Sequence, residues 1–166
     1  MGSDVRDTDD TSGADDTFDM RAEVLKVDAR LGLVMGWGMV CGDVTSNTGY
    51  IDVQDDHIPE ESMLAAALDF AKTARLAVDD HARDANGSPV DAGTVAFMWP
   101  MTTDIAQAFG INSPTSGLMV AVRPSPGMLA KFESGEYSGF SIGGAYVRDE
   151  YIEVGEDEAI PLAGGA

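Results

Sequence analysis

The run Gly139-Phe140-Ser141-Ile142-Gly143-Gly144 sets a serine between two large apolar residues, with glycines on both sides. A hydroxyl that is to act as a nucleophile needs a base within hydrogen-bond reach and open backbone around it. His81, sixty residues upstream, can supply the base. Gly143 and Gly144 let a peptide backbone come close, and their N–H groups can face a developing oxyanion. The competing interpretation is a strand edge whose glycines only relieve crowding. Asp79 precedes His81 by two residues. In a strand, alternate residues share a face, and a carboxylate beside an imidazole fixes its tautomer and stabilises its charged form. The bland alternative is an exposed histidine at a strand end. His57, in Asp55-Asp56-His57-Ile58-Pro59, reads as a solvated residue in the loop before a helix. Ser134 and Ser138 are rival hydroxyls, but neither is followed by the Gly143-Gly144 pair.

Composition narrows the classes. The chain has 166 residues, 44% of them apolar, which suits one domain with a real core. The net charge of −19, with only Lys26, Lys72 and Lys131 as lysines, opposes a phosphate backbone, so no nucleic-acid partner is expected. An acidic surface of this kind is destabilised by self-repulsion and relieved by salt, a composition like that of proteins from salt-loving microbes. No apolar run reaches the length of a membrane span, and no basic, apolar leader opens the chain; an intracellular protein without membrane association is expected. Cys41 is alone and reads as a small core residue. Two histidines and one cysteine, without paired-cysteine or HExxH spacing, predict no metal site, and the lack of a phosphate loop predicts no cofactor.

The elements that must position these residues are mostly strands. Residues 1–20 read as a disordered acidic arm with seven aspartates, residues 21–155 as the folded domain, and residues 156–166 as a flexible C-terminal tail. Strands are predicted at Ala22–Val27, Leu31–Cys41, Tyr50–Val53, Arg75–Asp80 leading into His81, Thr94–Trp99, Gly117–Arg123 and Tyr137–Val147. The last pairs with Tyr151–Val154 around Arg148-Asp149-Glu150. Helices are predicted from Pro59 to about Ala74, over Thr103–Phe109 and over Pro126–Ser134. In the first, Leu64, Ala67, Leu68 and Ala71 form the core-facing stripe, with Met63 and Phe70 beside it. Glycines inside Leu31–Cys41 suggest bends. The fold class is α+β, a small, mostly antiparallel β-barrel flanked by helices.

In this order the features resemble the phage prohead maturation proteases, especially the XkdF-like serine proteases of tailed viruses. Four stretches carry the likeness: Leu33-Val34-Met35-Gly36-Trp37-Gly38, Asp55-Asp56-His57-Ile58-Pro59-Glu60-Glu61, His81 after the helix and strand, and Glu133 through Gly144. The resemblance implies a barrel similar to herpesvirus assemblins and a serine endopeptidase, with Ser141 as nucleophile and His81 as base. It implies action inside the immature capsid, within the host cytoplasm, on scaffold and capsid-protein segments and on the chain itself, and it is compatible with a homo-oligomer. Assemblins use a second histidine after the serine. None follows Ser141 here, so Asp79, or Glu153 on a neighbouring strand, would be the third member, or the site works as a dyad. The alternatives are a capsid-assembly or scaffold-associated domain of the same fold without activity, and a small acidic binding module unrelated to viruses.

Overall fold

The apolar run punctuated by Gly36 and Gly38 becomes the middle of a sheet, because its neighbours on both sides are extended as well. The computed structural model describes residues 17–52, 55–73, 76–87, 89–145, 151–155 and 158–162. Its strands are β1 (Thr17–Asp28), β2 (Leu33–Asp43), β3 (Thr48–Gly49), β4 (Leu76–Arg83), β5 (Pro89–Met101), β6 (Thr115–Pro124) and β7 (Gly139–Ala145). Its helices are α1 (Glu60–Thr73), α2 (Thr103–Phe109) and α3 (Pro126–Ser134). The strands run β4-β5-β6-β2-β1-β7 across one sheet, and β3 adds to the end of β2. Every ladder is antiparallel. Among the described residues no ladder joins β4 to β7, so the sheet is open between those two edges.

Strand β1 changes partner along its length. Thr17–Glu23 pair with β7, and Val24–Asp28 pair with β2, with a bulge between Val24 and Lys26. The change brings the Glu23 carbonyl against Gly36, where a side chain would collide with backbone. Further bulges interrupt β2 at Gly38 and between Val40 and Gly42, and they bend the sheet where the glycines allow it. Strand β1 starts at Thr17, so the expected arm is shorter by residues 17–20; residues 1–16 lie outside the described residues.

Two helices cover one face. Met63 of α1 is fully buried among Met39, Cys41, Leu118 and Leu162. Met128 and Phe132 of α3 pack on Val34 and Ala92. The caps follow the expected chemistry. The Thr102 hydroxyl accepts from the Ile105 N–H and the Ser125 hydroxyl from the Met128 N–H, and both helices end at a left-handed glycine, Gly110 and Gly135. The stripe predicted for α1 is rotated. Met63, Ala67 and Phe70 face inward, whereas Leu64, Leu68 and Ala71 are exposed. Contact with Met39, Cys41, Leu118 and Leu162 selects which of two adjacent apolar stripes is covered, and the spacing of apolar residues alone does not.

The opposite face is also apolar. Met119 of β6 stands between Trp37 of β2 and Trp99 of β5 in register, and Ala121 stands between Met35 and Phe97. These positions alternate with Leu118, Val120 and Met98, which face the helices. Phe109 meets the Trp99 ring edge-on at 5.6 Å between centroids. Phe97 and Phe109 remain about two-thirds exposed, at 66% and 64%.

Two expected strands are absent. Tyr50–Asp52 lie outside any strand, because the Tyr50 carbonyl faces His57 and the Asp52 carboxylate accepts from the Asp56 N–H, which turns the chain; Val53 lies outside the described residues. Tyr151–Val154 are also non-strand, and Arg148-Asp149-Glu150 lie outside the described residues. Part of the segment read as a flexible tail is docked. The Gly49 N–H donates to the Ile160 carbonyl at 2.6 Å, Pro161 bridges Thr48, and Leu162 is 3% exposed in the core. Nothing in a short Ile-Pro-Leu run announces this, since its partner is the two-residue β3. Substituting Leu162→Ala should cost about 2–4 kcal/mol of stability in a denaturant titration. A loss below about 0.5 kcal/mol, the range of surface substitutions, would mean that this segment is not part of the core.

Candidate active site

The nucleophile candidate and its base lie on the two edge strands. Ser141 is in β7, directly opposite Arg21 of β1; Gly143 faces Asp19 and Gly144 faces Phe18 in the same ladder. His81 is in β4, between the register pairs Val78–Asp91 and Arg83–Pro89. Strands β5, β6, β2 and β1 lie between them. At the usual inter-strand spacing that is about 24 Å along the sheet surface. The ladders therefore do not join the two residues, and only contact between the free edges would. Asp79 shares β4 with His81. Glu153 is exposed and outside any strand, so the expected strand that would present it is not there.

The remaining candidates have structural work. The His57 Nδ1 lies 2.9 Å from the Tyr50 carbonyl oxygen. Its ring packs against Gly49, where an added Cβ would sit 2.7 Å from Cε1. The histidine read as solvated is half-buried and props the loop after β3. The Ser134 hydroxyl donates to the Lys131 carbonyl at the end of α3. The Ser138 carbonyl accepts from the Val24 N–H at 2.9 Å, the last link before β7 begins.

One polar centre escapes sequence inspection. Glu60 Oε1 accepts from the Thr103 N–H at 2.9 Å, from the Thr103 hydroxyl at 3.2 Å and from the fully buried Ser116 hydroxyl. This carboxylate opens α1, supplies an acceptor to the start of α2 and satisfies a hydroxyl at the start of β6. From sequence, Glu60 is only a favourable charge at a helix start; its partners are 43 and 56 residues away. Cys41 lies in the same core, and burial, with the Glu60 carboxylate adding to it, pushes its thiol from 9.0 up to about 12.

An open cavity of about 630 Å³ lies beside β1 and β2 and is lined by Glu23, Leu25, Trp37, Val40, Tyr50, Pro114 and Thr115. The signal for it was present but easily discounted: Leu25 and Trp37 are apolar at positions that alternate with core residues. Among the described residues no group of three or more His, Cys, Asp or Glu side chains is placed to hold a metal, and no helix is long and apolar enough to cross a membrane.

Two measurements check the polar centre. Glu60→Ala leaves the Ser116 hydroxyl and the Thr103 N–H without their acceptor and should cost about 1–3 kcal/mol, with a smaller loss for Glu60→Gln; equal, negligible losses in denaturant titrations would remove the centre's structural role. Because the folded Cys41 keeps its proton up to about 12 while the unfolded thiol loses it near 9.0, the Cys41 contribution to stability falls as pH rises through that window. At about pH 8.5, near the free-thiol pKa, iodoacetamide should leave native Cys41 unmodified and alkylate it in denaturant. Equal modification in both states, read by mass spectrometry, would show an open thiol. Compared with protein-family models, with curated proteins and with solved structures, the chain matches none of them.

Proposed function

We propose that the chain is a serine endopeptidase in which His81 is the general base for Ser141, its site formed where the β4 edge of a rolled sheet meets the β7 edge. The observation that carries this is the strand order. Ser141 and His81 lie on the two edge strands β7 and β4, the pair that closing this sheet into a barrel brings side by side. The bulges in β1, β2, β4 and β5 supply local bending for such closure. The apolar Trp37–Met119–Trp99 row would then line the barrel interior.

In the assembled site His81 takes the Ser141 proton as the oxygen attacks a peptide carbonyl. The amine leaves with that proton, and water activated by the same imidazole hydrolyses the acyl-enzyme. The Gly143 and Gly144 N–H groups are the candidates for steadying the oxyanion. Asp79, two residues from His81 in β4, is the preferred third member, now that Glu153 lacks a neighbouring strand. The resemblance in the Glu133–Gly144 run gives the substrate class: scaffold and capsid-protein segments within a viral procapsid.

A second role is favoured by one specific observation, the open gap between β4 and β7. A domain that keeps this gap in solution would serve capsid assembly without catalysis. A fluorophosphonate probe separates the two. The full chain should be labelled at Ser141, Ser141→Ala should not be, and His81→Ala should react about 10²–10⁴-fold more slowly. His57→Ala, if folded, should label like the parent. Absence of labelling at every salt concentration would favour the assembly role, and cleavage of a scaffold substrate by Ser141→Ala would overturn the peptidase.

A further inference from the structure

The cavity beside β1 has a lining and a size that can be compared with those of a peptide side chain. Glu23 lies on its rim, and the residue opposite Glu23 in the ladder is Gly139, two residues from Ser141 on the same strand. A two-residue step along a strand is about 7 Å. Its lining is mostly apolar, from Leu25, Trp37, Val40, Tyr50 and Pro114, with Thr115 and Glu23 as the polar members. At about 630 Å³ it exceeds one side chain and falls within the range of small-ligand sites. Glu23, an exposed carboxylate, gives the rim a negative charge, and the whole chain carries −19. A second copy of the chain is therefore a poor occupant, while an apolar residue with a cation nearby is complementary in both respects.

We infer that this cavity binds the apolar side chain of an extended peptide segment, with Glu23 pairing a lysine or arginine two positions away. The two-residue spacing follows from the extended backbone, in which alternate side chains point the same way. The role of the cavity as a substrate subsite rests on the peptidase proposal; binding does not.

Binding is measured with the full chain carrying Ser141→Ala, so that no cleavage intervenes, and Trp99→Phe, so that of the two tryptophans only Trp37 reports by fluorescence. The probes are end-blocked alanine-based peptides containing Phe-Ala-Lys, Phe-Ala-Asp or Ala-Ala-Lys. The first should bind saturably and the other two should bind at least about tenfold more weakly. Glu23→Lys should reverse the preference between Lys and Asp. Leu25→Asp, at a position already half exposed, should weaken the first peptide about tenfold with the circular dichroism spectrum unchanged. No saturable binding of any peptide, or a Glu23→Lys variant with the original order of preference, overturns the inference. The parent chain separates the two proposals: binding with no cleavage of any peptide or scaffold segment defeats the peptidase and leaves the cavity standing, while cleavage indifferent to Glu23→Lys and Leu25→Asp defeats the cavity's role as a subsite and leaves the peptidase standing.

Discussion

Strand β1 spends its hydrogen bonds on two partners in succession, β7 over Thr17–Glu23 and β2 over Val24–Asp28. The change of partner fixes β7 at one edge of the sheet, sets Glu23 and Leu25 at the mouth of the cavity, and requires Gly36 where the Glu23 carbonyl crosses. A strand can exchange partners in this way only if it bends, and the bulge after Val24 supplies the bend at the cost of one unpaired residue. The placement of Ser141 relative to the rest of the molecule is a consequence of that bend, because β7 has no other described ladder.

On the helical face, three distant pieces of chain converge on one carboxylate. Glu60 ties the starts of α1 and α2 to Ser116 of β6, and the docked Leu162 joins Met63, Cys41 and Leu118 in the adjoining core. The burial that keeps Cys41 protonated comes from this packing. The strongly acidic composition thus has two parts: a few carboxylates that accept defined hydrogen bonds, such as Glu60, Asp52 and Asp43, and many exposed ones that set the surface potential. Only the second kind responds mainly to salt.

The local signals were legible wherever a few adjacent residues decide the outcome. Thr103–Phe109 and Pro126–Ser134 form helices with the expected boundaries, because cap hydroxyls, a proline in the first turn and closing glycines act within one turn. Tyr50–Asp52 are not a strand, because alternation of apolar residues cannot compete with a histidine and an aspartate that turn the chain. The α1 stripe misled for a related reason: two apolar stripes were available, and the sheet beneath chose between them. Of the candidate site, Ser141 is expected inside a strand and His81 just past the end of one; Ser141 lies in β7, and β4 runs through His81 to Arg83.

By itself the sequence determined the mixed α+β class, the helices with strong caps, most of the strands beside them, the single cysteine in an apolar run and the net charge of −19. These depend on composition and on interactions over a few residues. Only the tertiary structure decided that β4 and β7 are opposite edges, that β1 serves two ladders, that Leu162 enters the core, and that Glu60 gathers partners from two other elements. The physical reason is that strand order and buried hydrogen bonds are set by which distant segments exclude water together, and no short stretch of chain carries that information.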